Sequence, residues 1–174
     1  MSQISDLVAS RVRDVPDFPK PGVVFKDLSP LLADGAAFAA LVDDIARRWE
    51  GQVDVVAGVE ARGFIFGAPV AHALGLGFVP IRKAGKLPGD TIASAYSLEY
   101  GTAEVEVQAD AFAAGARVLL IDDVLATGGT AAAACELIEK CGATTTALEF
   151  LIELAFLRGR SRITSGAVNA ILTV

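Results

Sequence analysis

The sequence predicts an α/β fold in which a mainly parallel central sheet is flanked by helices. Three observations predict it. A strand–loop–helix–strand unit runs from Val53 to Arg82, the pattern of two parallel strands joined by a crossover. Strand-like and helix-like segments alternate over most of the 174 residues, as in other α/β chains. A near-continuous apolar run, Arg117 to Ile121, leads into two aspartates, a glycine-bearing loop and a helix start. Such runs suit a strand buried on both faces.

The elements follow in order. Ile4, Leu7, Val8 and Val12 recur at helical spacing, so an amphipathic helix opens the chain and ends before Pro16. Asp17 to Gly22 is a stiff, turn-rich stretch, and Val23 to Lys26 is a short extended segment. Asp34 is a good N-cap for a helix whose apolar stripe is Phe38, Leu41, Val42, Ile45 and Trp49. Val53 to Val59 reads as a buried strand, Glu60 to Gly63 as a loop, and a helix follows to about Leu74. Gly75 to Gly77 turns the chain into a strand over Phe78 to Arg82.

Lys83 to Ala93 is Gly/Pro-rich, basic and without periodicity, and is expected to be a long mobile lid loop. Ala95 to Glu99 and Ala103 to Gln108 form the arms of a hairpin, and the alternation over Glu104 to Val107 places both glutamates on an exposed face. After the strand at Arg117 to Ile121, a helix carries Ala134, Leu137, Ile138 and Cys141 on one stripe and stops at Gly142. Thr144 to Leu154 and Ala167 to Val174 are the last strands.

Composition narrows the function classes. Hydrophobic residues make up 53% and charged residues 21% of the chain, which excludes a disordered or low-complexity protein. The formal net charge of −6 argues against a nucleic-acid surface, which needs a basic stripe. It is compatible with a small phosphate ligand, which needs only a few cations and backbone N–H groups. No apolar run is long enough to predict a membrane span, and no secretory signal is expected, so the sequence reads as cytoplasmic. Cys135 and Cys141 read as reduced packing thiols and His72 as a structural histidine, and no metal site is expected on the protein itself.

The strongest chemical signal is the string Val118 to Thr130. In an open α/β sheet, ligands sit beyond the carboxyl ends of the strands. Here two carboxylates, Asp122 and Asp123, precede Ala126-Thr127-Gly128-Gly129-Thr130. The loop and helix start supply free N–H groups and a partial positive dipole for a phosphate. The acids repel phosphate but accept hydrogen bonds from sugar hydroxyls. No lysine follows the glycines and no G-x-G-x-x-G is present, so neither a P-loop nor a dinucleotide fingerprint fits. At a second strand end, Glu60-Ala61-Arg62-Gly63 offers a forked cation for a multiply charged leaving group.

The thirteen-residue string resembles the phosphoribosyl-pyrophosphate (PRPP) signature of the type I phosphoribosyltransferases. Phe18 to Asp27, Glu60 to Phe64, Ile81 to Gly89 and Tyr96 to Gly101 are similar, in the same order, to segments of those members that act on adenine. The resemblance spans about Ile4 to Arg160. It implies the type I fold in a single domain over 1–174, with about residues 1–35 contributing a small base-binding hood and a flexible lid loop and hairpin above the site.

The resemblance also implies a purine salvage reaction, adenine plus PRPP giving AMP and pyrophosphate, with Mg2+ carried mainly by PRPP and pyrophosphate. Ala126, Thr127, Gly128, Gly129 and Thr130 would hold the 5′-phosphate, and Asp122 and Asp123 the ribose hydroxyls. Glu60, Ala61 and Arg62 would form the pyrophosphate loop, with a non-proline cis peptide near Glu60–Ala61. Lys83 and Lys86 would meet pyrophosphate from the lid, either in the same subunit or in a neighbouring one. Val24, Phe25 and Lys26 would receive the base, Phe25 by stacking. Glu99 and Tyr100 would approach the reacting centre, with Glu99 or Asp122 managing the purine proton and Arg62 stabilising the departing charge. The family often has a hydroxyl residue where Ala61 stands and arginine where Lys26 stands, and lysine lacks the planar fork. Partners would be small-molecule substrates and a second copy in a homodimer. A sister enzyme for a 6-oxopurine and a non-enzymatic PRPP sensor are the competing readings, separated by assaying nucleotide release from PRPP with each base.

Overall fold

The structure, a computed structural model, describes residues 3–97 and 102–174. Its central sheet has seven strands: β3 (Val55–Val59), β4 (Gly77–Lys83), β5 (Thr91–Ser97), β6 (Thr102–Gln108), β7 (Arg117–Leu125), β8 (Thr144–Glu153) and β9 (Ala167–Thr173). Their order is β5-β6-β4-β3-β7-β8-β9. From β4 to β9 all neighbours are parallel, whereas β6 runs antiparallel to both β4 and β5. The expected α/β architecture is therefore present. The chain direction reverses where the helical crossovers give way to a hairpin, which needs no long connection.

Burial on both faces explains the apolar strands. Side chains alternate along β7: Val118 and Leu120 join one core cluster, Leu119 and Ile121 the other. The first cluster packs under α5 (Gly129–Lys140) through Ala134, Leu137 and Ile138. The second packs under α3 (Gly35–Trp49) and α4 (Arg62–Leu74) through Leu41, Ile45, Phe66 and Val70. Each fully buried side chain of this kind contributes about 1.5–3 kcal/mol. Asp34 caps α3, its side chain accepting from Ala37 N at 3.1 Å. Glu149, fully buried in β8, accepts from Trp49 Nε1 at 2.9 Å and from Arg48. That pair of bonds fastens the end of α3 to the sheet.

At the N-terminus α1 (Gln3–Ala9) is shorter than its periodicity predicts. Arg13–Pro16 leaves the helix to form β1, which pairs antiparallel with β2 (Val24–Asp27). Ion pairs across the two strands, Arg13 with Asp27 and Lys26 with Asp14, favour this pairing over another helical turn. A short helix, α2 (Ser29–Ala33), follows.

Three further expectations are corrected. β7 does not stop at Ile121 but continues through both aspartates to Leu125, because β8 pairs with it as far as Glu153. The basic segment after β4 is not a long free loop: β4 reaches Lys83, β5 begins at Thr91, and only residues 84–90 lie between them. The alternation in β6 does not expose both glutamates. Glu104 is exposed but Glu106 is 5% exposed, because residues 84–90 fold back over that face of the hairpin. Residues 155–162, between β8 and β9, form two 3-10 turns that the sequence pattern does not reveal.

Candidate active site

The phosphate loop is built by the end of β7 and the start of α5. Asp122, Leu125, Ala126 to Ala131 and Phe150 line a cup of about 70 Å3. That is the scale of one ligand group rather than of a whole nucleotide. Gly128 takes φ +80° as the N-cap of α5, a conformation that glycine adopts without strain. It also lies against the backbone of Gly159. A Cβ on Gly159 would overlap the carbonyl oxygen of Ala126 and sit 2.9 Å from Gly128 N, and a Cβ on Gly128 would overlap Gly159 O. The 3-10 segment is anchored in turn by Arg160, which donates to Glu153 through Nε at 3.0 Å and to Val168 O. This buttress carries no sequence motif and was invisible to pattern reading.

The two aspartates stay close together at the strand end: Asp123 N donates to Asp122 Oδ1 at 2.9 Å, and each carboxyl feels the other and Arg62. Asp122 lines the phosphate cup, while Asp123 meets Arg62 at the first turn of α4, Nε to Oδ2 at 2.7 Å. That contact is a charge pair rather than an aligned hydrogen bond, and the buried Oδ2 has no hydrogen-bond partner among the described residues. Burial, reinforced by the charge of Asp123, pushes the Asp122 carboxyl well above the ordinary carboxylate range. Burial also raises Asp123, with Arg62 pulling it back down. Gly63 lets α4 approach β7 this closely: a Cβ there would lie 2.6 Å from Ile121 O and 3.2 Å from Asp122 Oδ1.

Arg62 also joins the N-terminal hairpin to the sheet. Its guanidinium carbon lies 5.5 Å from the centroid of the Phe25 ring, within cation–π range. Phe25 packs edge-on against Phe18 at 5.2 Å, and Val24 beside it is exposed. Lys26 does not face the same way: its ammonium pairs with Asp14 at 2.7 Å.

The Glu60–Ala61 peptide is cis, as the family resemblance implied. Of the two expected lid cations, Glu60 meets the ammonium of Lys86 but only the backbone of Lys83. Its carboxylate accepts from Lys86 Nζ at 2.5 Å, Arg82 Nε at 3.0 Å and the backbone N of Lys83 at 3.1 Å. The Lys86 ammonium, opposing the effect of burial, holds the Glu60 carboxyl down at about 2, with help from Lys83 N and Arg82. Arg82 was not among the residues singled out from the sequence. Its position at the end of a strand, one residue before Lys83, was the available signal. Glu99 and Tyr100 lie outside the described residues.

A larger, open depression of about 470 Å3 lies on the outer faces of α3 and α4, lined by Ala40, Asp43, Ala46, Arg47, Glu50, Ala73 and Leu74. It holds mixed charges and no exposed loop or helix N-terminus, so it lacks the donors of an anion site. The strand-end cluster has them, together with paired acids and an aromatic ring. Among the described residues no group of three or more His, Cys, Asp or Glu side chains comes together to hold a metal.

The phosphoribosyl transferase domain family matches residues 30–168 of the chain. An adenine phosphoribosyltransferase of Acidothermus cellulolyticus is 58% identical over 174 residues, covering 99% of this chain and 98% of that one. The crystal structure of the Saccharomyces cerevisiae adenine phosphoribosyltransferase, complexed with an imino-altritol bisphosphate and adenine, superposes with a TM-score of 0.95 at 39% identity, covering 99% and 100% of the two chains. The enzyme of Trypanosoma brucei, in complex with AMP, pyrophosphate and ribose-5-phosphate, does so with a TM-score of 0.90 at 26% identity, covering 99% of this chain and 80% of that one. With this fold, these strand-end loops and these relatives, the chain belongs to the adenine phosphoribosyltransferases of the type I phosphoribosyltransferase family.

Proposed function

We propose that the chain transfers the phosphoribosyl group of PRPP to N9 of adenine, giving AMP and pyrophosphate. The observation that carries this reading is the phosphate cup with Asp122 on its wall, set beside the Asp123–Arg62 pair and the Phe25 ring. The 5′-phosphate sits on the amides of Ala126 to Thr130, with Thr127 and Thr130 as further donors. Asp122 and Asp123, side by side near the end of β7, take the ribose hydroxyls. Arg62 turns from Asp123 toward pyrophosphate, joined by Lys83 and Lys86 and by the Glu60–Ala61 loop. Phe25 stacks on the purine, and backbone groups at Val24 and Lys26 read its amino edge.

The C1′ centre becomes cation-like as pyrophosphate departs. A carboxyl raised by burial is a better proton acceptor near neutral pH than an ordinary one. Asp122 therefore shares with Glu99 the candidacy for the purine proton. Closure of residues 83–100 excludes water that would otherwise capture the cation. Magnesium, carried mainly by PRPP and pyrophosphate, would neutralise leaving-group charge, and Asp122 and Asp123 at the strand end would be the carboxylates beside it. We place residues 1–35 as the hood of a single domain and the active form as a cytoplasmic homodimer. No helix among the described residues is long and apolar enough to cross a membrane.

The test is nucleotide release by the purified protein with PRPP, Mg2+ and each nucleobase in turn. Adenine is expected to give AMP and stoichiometric pyrophosphate. Turnover with hypoxanthine or guanine in preference to adenine contradicts the reading, as does PRPP binding without turnover.

A further inference from the structure

Glu106 breaks the pattern of its strand. β6 lies between β4 and β5, with Glu106 opposite Arg82 on one side and Ala93 on the other. Val105 and Val107 face the core, so the opposite face of the hairpin, which carries Glu106, would ordinarily be wet. Instead residues 84–90 lie across it. Ala84 N donates to Glu104 O at 3.1 Å, and Gln108 Nε2 donates to Pro88 O at 3.3 Å. Between these two ties, Glu106 Oε1 accepts from Lys86 N at 2.8 Å and Leu87 N at 2.9 Å.

A buried carboxylate is costly unless its oxygens are satisfied. Here burial pushes the Glu106 carboxyl up, but the N–H groups of Leu87, Gly85 and Lys86 and the Thr91 hydroxyl together hold it below its ordinary value. The charge is thus kept, and it is used to fix one turn of backbone. That turn carries Lys86, whose ammonium reaches Glu60 at the cis peptide, and its carbonyl accepts from Arg82 Nη1 at 3.2 Å. Lys86 thus approaches the pyrophosphate loop from a turn held at its middle by Glu106, while Arg82 approaches it from the end of β4.

We infer that Glu106 is a positioning residue for pyrophosphate: it clamps the 85–87 backbone so that Lys86 is presented to the leaving group. The inference rests on the reading of Lys86 as a pyrophosphate contact. Glu106 itself touches no substrate. Gly85, at φ +82° with open space around it, lets the turn take the shape that brings successive N–H groups onto one carboxylate.

Three proteins test it: Glu106→Gln, Lys86→Ala and the double variant. Glu106→Gln keeps the shape and the carbonyl acceptor but removes the charge. It is expected to raise the KM for PRPP and the inhibition constant of pyrophosphate by about ten- to hundredfold, the scale of lost charge-assisted bonds. The KM for adenine and the affinity for ribose 5-phosphate, which carries no pyrophosphate, are expected to hold within about twofold. The double variant is expected to be no worse than Lys86→Ala alone, since Glu106 acts through Lys86.

An unchanged PRPP KM in Glu106→Gln overturns the inference while leaving the Lys86 reading intact, provided Lys86→Ala shows its defect. Independent, multiplicative defects overturn it too. A parallel loss in kcat, both KM values and ribose 5-phosphate affinity assigns Glu106 a merely structural role. If Lys86→Ala leaves PRPP and pyrophosphate affinity untouched, the reading beneath the inference fails, and the inference with it.

Discussion

Replacing Gly159 with alanine adds one methyl group to a position that touches no expected ligand, yet the structure places that methyl against the phosphate loop. The new Cβ would overlap Ala126 O and lie 2.9 Å from Gly128 N. Both are backbone atoms and neither belongs to a side chain that can swing away. Gly159 has no positive φ, so the substitution carries no backbone strain of its own and the effect is steric. Overpacking of this kind costs about 1–3 kcal/mol. The overlap is relieved only by moving the 3-10 segment or the loop. The segment is held by Arg160 to Glu153 and Val168, so the loop is the softer partner.

A loop displaced by a few tenths of an ångström carries its N–H groups with it. Misaligning one charge-assisted bond to a phosphate costs about 1.5–3 kcal/mol, or roughly ten- to hundredfold in the KM for PRPP and in the Kd for AMP. Steady-state kinetics and titration calorimetry with AMP read this directly. Gly75→Ala serves as the comparison: it has open space around it but φ +68°, so it should lower the Tm without weakening AMP. If Gly159→Ala binds AMP and PRPP as the parent does, the buttress is not coupled to the phosphate site.

Other consequences follow from the charges. Glu60 titrates at about 2 in the folded chain against an ordinary 4.5, so its contribution to stability is complete above about pH 4.5 and is lost as pH falls toward 2. The stability gap between the parent and Glu60→Gln should therefore narrow over that range in denaturant melts, and a gap independent of pH contradicts the assignment. Glu149→Ala strands the Trp49 indole N–H inside the protein and leaves Arg48 with Asp44 as its remaining carboxylate partner. It should cost about 2–4 kcal/mol in chemical unfolding with the KM for PRPP little changed, whereas a neutral effect would mean that α3 is not fastened there. Glu99→Gln should lower kcat by about a hundredfold if that carboxylate moves the purine proton, and full turnover removes it from the mechanism in favour of Asp122. Hydrogen exchange over 83–100 should slow when a PRPP analogue and adenine are bound together, and unchanged exchange speaks against a closing lid.

The sheet and the phosphate loop were legible because their signals are local and periodic. The apolar run before Asp122, the small residues after it and the stripe Ala134, Leu137 and Ile138 each state one element. The Asp34 cap was equally plain. What escaped depends on long-range contacts. Nothing near Asp122 announces that β8 will carry β7 three residues past it. Nothing in β6 announces that the chain will fold back over Glu106. Gly159 reads as a loop glycine until Gly128, 31 positions earlier, is seen beneath it. The resemblance put the backbone of Lys26 at the base, but nothing in the sequence announced that β1 would bring Asp14 across to its ammonium. In each case tertiary geometry, rather than residue preference, decides the outcome.

The central claim is that strand-end amides and twin acids hold a ribose phosphate. A crystal structure of the protein with AMP tests it most directly. The account predicts the phosphate on the amides of Ala126 to Thr130, the ribose hydroxyls on Asp122 and Asp123, and the purine against Phe25. A nucleotide lodged in the depression between α3 and α4, with the phosphate cup unengaged, would contradict it.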